Sequence, residues 1–82
     1  MEAADVLRRT IAHNPSNPMA YRWLTAALGQ LGQTDEARTA LNRAMTGWPD
    51  SFNRYTSKRA PWFRPHVFEH MLDGLRKAGW TG

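Results

Sequence analysis

Laid over itself at an offset of 34, this chain matches its own small and apolar residues. Ala3 falls on Ala37, Leu7 on Leu41, Ile11 on Met45 and Pro15 on Pro49. The same offset carries Ala37 to Met71, Leu41 to Leu75 and Ala44 to Ala78, so a third, degenerate copy follows the second. A period of that length belongs to stacked supersecondary units, none of which can bury its apolar face alone. The chain is therefore expected to fold as a pile of short elements leaning on one another.

Those elements read as helices. In "NPMAYRWLTAALGQLG", Asn17 can cap free N–H groups and Pro18 suits the first helical position, where no amide partner is lost. Apolar residues at 20, 21, 24, 27, 28 and 31 recur at intervals of three and four, which places them on one helical face. Gly32 ends that helix, and Thr34 is expected to cap the next, with Asp35 and Glu36 set against its positive end. Ala37, Ala40, Leu41, Ala44 and Met45 form its stripe, and Gly47 and Pro49 stop it. A turn of two residues, Gly32 and Gln33, forces the pair antiparallel and adjacent. The expected class is all-α.

Composition narrows the range of functions. Eighty-two residues make one domain at most. With 41% hydrophobic and 22% charged residues the chain is globular in character rather than disordered. No apolar run is long enough to span a membrane, and "MEAADVLRR" has no signal-like apolar core. The absence of cysteine removes thiolate nucleophiles and sulfur-bound zinc, and fits a reducing compartment, here taken as the cytoplasm. The net charge of +4 favours acidic partners in general.

Residues 18–51, "PMAYRWLTAALGQLGQTDEARTALNRAMTGWPDS", resemble one tetratricopeptide repeat. Tyr21, Leu24, Thr25, Leu28, Ala37, Leu41, Ala44 and Pro49 stand where that family places its signature residues. The departures are threonine where the family prefers glycine and leucine where it prefers tyrosine. The resemblance implies an α-solenoid fragment in which residues 2–13 are the second helix of a partial repeat, 18–51 a full repeat, 52–64 a strap and 65–79 a capping helix. It also implies a concave face, lined by Met19, Arg22, Ala26, Gly29 and Gln30, of the kind on which such repeats hold peptides. Trp23 beside it is a further candidate contact. Repeats that clamp a carboxyl terminus need an asparagine where this chain has Ala26, so that mode of binding is not expected.

The segment "SFNRYTSKRAPWFRPHVF" carries cations and rings without a single acid. Pro61 and Pro65 prevent a long helix across it, so a short turn and an extended strap are expected. Phe52, Tyr55, Trp62 and Phe63 would pack on the open end of the stack while Arg54, Lys58, Arg59 and Arg64 stay wet. Pro65 then starts a helix with Val67, Phe68, Met71, Leu72, Leu75 and Ala78 on one face, and Gly79 lets Trp80 fold back on Leu75. Residues 50–80, ending "GLRKAGW", are similar to the extreme C-terminus of bacterial class III adenylate/guanylate cyclases that carry tetratricopeptide repeats. That implies a fragment of such a cyclase with no catalytic residue of its own.

The residues carry two sharper alternatives. "HVFEH", 66–70, fits a zinc-peptidase spacing, with His66 and His70 one turn apart around Glu69. The same helix face also holds Asp73 and Lys77, the makeup of a solvated surface. The basic and aromatic strip could instead grip phosphates and stack on bases, but no nucleic-acid-binding string accompanies it. The expectation is thus a module for binding protein, itself included as a homodimer. It is not an enzyme, uses no cofactor or metal, and has nucleic-acid binding as the alternative.

Overall fold

The computed structural model describes residues 3–59 and 61–81. Five helices follow in order: α1 (Ala3–His13), α2 (Pro18–Leu31), α3 (Thr34–Gly47), α4 (Pro49–Ser57) and α5 (Pro65–Lys77). Glu2, the expected first residue of the leading helix, lies outside the described residues.

Helix α2 is the hub, packed against α1, α3, α4 and α5. Its start is as the sequence indicates: Pro18 opens the helix and Asn17 Oδ1 accepts from the Ala20 N–H at 3.3 Å. Its end is a left-handed turn at Gly32, where the Gly32 N–H donates to Gly29 O and the Gln33 N–H to Leu28 O. These bonds satisfy carbonyls that the helix end would leave free. The next start differs from expectation. Thr34 is already the first helical residue of α3, no side chain caps it, and its hydroxyl donates to Gly32 O at 3.4 Å.

Leu24 and Leu28 of α2 and Ala37, Ala40, Leu41 and Ala44 of α3 are all buried in one cluster. The alanines leave room for two backbones to approach, and the leucines fill the space beside them. Thr25 is fully buried, its hydroxyl satisfied by donation to Tyr21 O at 2.8 Å. Helix α1 lies against α2 and is tied to α3 by Arg8. The guanidinium makes a two-point contact with Glu36 at 2.9 and 2.8 Å and another with Asp5 at 2.9 Å. The Glu36 carboxyl is thereby held below its usual range, chiefly by the hydrogen bond from Arg8, and Arg8 is pushed above its own.

The expected strap is shorter than residues 52–64. Phe52, Arg54 and Tyr55 belong to α4, and only the stretch from Lys58 to Arg64 links helices. A proline clashes with the carbonyl four residues before it, so Pro61 leaves the chain helical up to Ser57 and no further. Lys58 is then extended, at φ −142° and ψ 129°.

The final helix does not extend the pile. Its main partner is α2 rather than α4, so it folds back across the middle of the molecule. The principal extents are 28 × 25 × 24 Å, those of a near-equal-sided body. Helix α5 ends at Gly79 (φ 114°), with the Gly79 N–H bonded to Arg76 O and the Trp80 N–H to Leu75 O. That turn brings the Trp80 ring edge-on to Phe52 at 6.0 Å, locking the last helix to α4.

Candidate interaction surface

The face of α2 expected to hold a partner is occupied by α5. Gly29 and Gly74 bring the two helices together backbone to backbone. A Cβ built on Gly29 would lie 2.0 Å from Gly74 O, and one on Gly74 would lie 2.3 Å from Ala26 O. Ala26 is therefore buried beneath α5, and Arg22, at 3% exposed, is buried too. Gln30 is engaged from within: its Nε2 donates to His70 O at 3.1 Å and to Asp73 Oδ2 at 3.0 Å, while its Oε1 accepts from Lys77 Nζ at 2.9 Å. Lys77 also pairs with Asp73 at 3.1 Å. These contacts, that from Gln30 first, hold the Asp73 carboxyl below its usual range. Of the six candidate positions, Met19 remains exposed and Trp23 half-exposed. Ala26 and Gln30 are thus engaged by α5 and Arg22 is enclosed beside Tyr55, so the three do not form an open groove.

Two large rings, Trp23 and Trp48, are partly covered by their own chain. Trp23 meets Phe63 edge-on at 5.6 Å, and Trp48 lies 5.5 Å from Tyr21. In the basic and aromatic segment, Phe52 is buried and Tyr55 and Phe63 are half-buried, but Trp62 stands 71% exposed. Arg54, Lys58, Arg59 and Arg64 are exposed, and Arg59 donates to Phe63 O, which braces the linker. His66, Glu69 and His70 face solvent, and no cluster of three metal-binding side chains occurs among the described residues.

An open trough lies between α1, α2 and α5. Ala4 and Leu7 of α1, Trp23, Ala26, Ala27, Gln30 and Leu31 of α2, and His70 and Met71 of α5 line a largely apolar space of about 350 Å³. Leu31, one of the lining residues, is 46% exposed. This trough has no direct sign in the sequence, because it depends on where α5 comes to rest. A clue to the docking was nonetheless present: glycine inside a helix costs about 1 kcal/mol relative to alanine, and Gly29 and Gly74 each interrupt one.

The described residues are all-helical in class, with an open, largely apolar trough between α1, α2 and α5. No helix among the described residues is long and apolar enough to cross a membrane. Comparison with family models, with curated proteins and with solved structures found no match.

Proposed function

We propose that this chain is a protein–protein interaction module that takes an apolar helix into the α1–α2 trough. In isolation the helix comes from a second copy, giving a homodimer. In the parent protein it comes from the preceding part of a tetratricopeptide-type array, for which the cytoplasmic C-terminal region of a bacterial adenylate/guanylate cyclase is the proposed setting. The observation that carries this role is the trough itself, largely apolar and lined in part by the exposed Leu31. Apolar surface gathered in one place on a small domain marks a contact site. The module contributes no chemistry of its own.

Sedimentation equilibrium tests the self-associating form. A dimer should appear with rising concentration and be lost in Leu31→Asp, whose side chain projects at the trough edge. A well-folded chain that stays monomeric up to about millimolar concentration overturns self-association, since a dimer of biological use forms well below that. Nucleic-acid binding is less well supported, because three of the four strip rings are turned toward the body and only Trp62 is free to stack.

A further inference from the structure

Arg22 is the least comfortable residue in the molecule. It is 3% exposed, its Nε is enclosed and has no hydrogen-bond partner, and no carboxylate pairs with it among the described residues. The guanidinium carbon lies 4.8 Å from the Tyr55 ring centroid, an attraction that only partly offsets the loss of water. Burial holds its pKa below the usual arginine value. A buried cation left without an anion is the condition that a ligand would relieve.

A receptacle for that ligand lies beside it. Arg22 lines a cavity of about 280 Å³ together with Pro18, Met19, Ser51, Tyr55, Trp62 and Phe63. Three of these are aromatic, and none of the lining residues is acidic. Pro18 and Met19 open α2 and Ser51 lies in the first turn of α4, so the positive ends of two helices flank the same space. Both the charge and the rings are therefore provided, on opposite requirements: something negative for Arg22, something flat and apolar for Tyr55, Phe63 and Trp62.

We propose that this cavity binds a small aromatic carboxylate, with the carboxylate on Arg22 and the ring among Tyr55, Phe63 and Trp62. The cavity is at the lower end of ligand-sized pockets, which suits one ring and its acid rather than a length of peptide. One guanidinium neutralises one negative charge. A phosphate dianion would leave a surplus charge in an apolar space, so a monoanion is selected. A guanidinium also matches a carboxylate through two parallel hydrogen bonds. This site stands apart from the α1–α2 trough and does not depend on the interaction role.

NMR titration of the isotope-labelled full chain with phenylacetate tests it. The Arg22 Nε–H and the Trp62 indole N–H should shift together and saturate, with a Kd in the millimolar range expected for so few atoms. Phenylacetamide, which keeps the ring and removes the charge, should bind at least about tenfold more weakly, as should inorganic phosphate. Arg22→Met should abolish the shift at Trp62. Should that variant fail to fold, the amide comparison on the unaltered chain still reads the charge. Trp62→Ala, at a side chain 71% exposed, should fold normally and weaken phenylacetate severalfold. Absence of saturable shifts at about 20 mM phenylacetate, or equal affinity for the amide or for phosphate, overturns the proposal.

Discussion

Replacing Gly74 by alanine should separate the last helix from α2. The new Cβ would meet Ala26 O at 2.3 Å, Ala26 Cα at 2.8 Å and Ala26 C at 2.9 Å, all of them backbone atoms that no rotamer change can move. Ordinary carbon–oxygen contacts begin at about 3.3 Å, so the two helices must part by roughly 1 Å at this point. A gap of that size forfeits about a quarter to a half of the contact energy across it. Helix α5 buries Phe68, Met71, Leu72 and Leu75, each worth about 1.5–3 kcal/mol when fully enclosed. The loss is then about 3 kcal/mol, against which alanine returns about 1 kcal/mol of helix propensity. Net destabilisation of about 2 kcal/mol is expected in urea unfolding, a large part of the stability of a small domain. Gly47→Ala is the control: a Cβ there meets nothing within 4 Å, and stability should hold or rise by up to about 1 kcal/mol. If Gly74→Ala is as stable as the unaltered chain, α5 is not seated on α2 by backbone contact, and the account of the covered face fails with it.

Asn17→Ala removes the one side-chain cap on α2 and should cost about 1 kcal/mol in the same unfolding measurement. Trp80→Ala deletes the edge-on contact with Phe52 and the stacking partner of Arg76, 5.7 Å from the ring centroid, with an expected loss of about 2 kcal/mol. Glu36 and Asp73 are both held below their ordinary ionisation range by the folded structure, through Arg8 in one case and through Gln30 and then Lys77 in the other. A depressed carboxyl pKa stabilises the fold above the unfolded value and loses that contribution as pH falls through the folded one. Urea midpoints should therefore be flat near neutrality and decline below about pH 4, and Glu36→Gln should make the decline shallower. Because both groups are exposed, the effect should be small and weakened by salt.

Legibility in the sequence followed the range of the interactions. The helix ends were readable wherever a local rule governs them: Asn17 and Pro18 at the start of α2, Gly32 at its close and Gly79 after α5. Each is set by a residue's own backbone preference or by a hydrogen bond spanning a few positions. The place of Thr34 is not legible in the sequence, because threonine is acceptable both at a cap and inside the first turn and nothing local separates the two. Helix α4 differs from the expected strap because the ring of Pro61 obstructs one turn only and leaves Phe52 and Tyr55 free to be helical.

The linear pattern, then, determined an all-helical chain, the close α2–α3 pair and the apolar side of each long helix. Periodicity within a helix depends only on near neighbours. Tertiary structure alone decided that α5 returns to cover α2, that Ala26 and Gln30 face a helix, and that Arg22 is enclosed with no carboxylate paired to it among the described residues. Those outcomes rest on pairs such as Gly29 with Gly74 and Gln30 with Asp73, which are far apart along the chain. Their effect exists only after the backbone has brought the two helices within contact, where a missing side chain becomes a seat and a single polar group becomes a clasp.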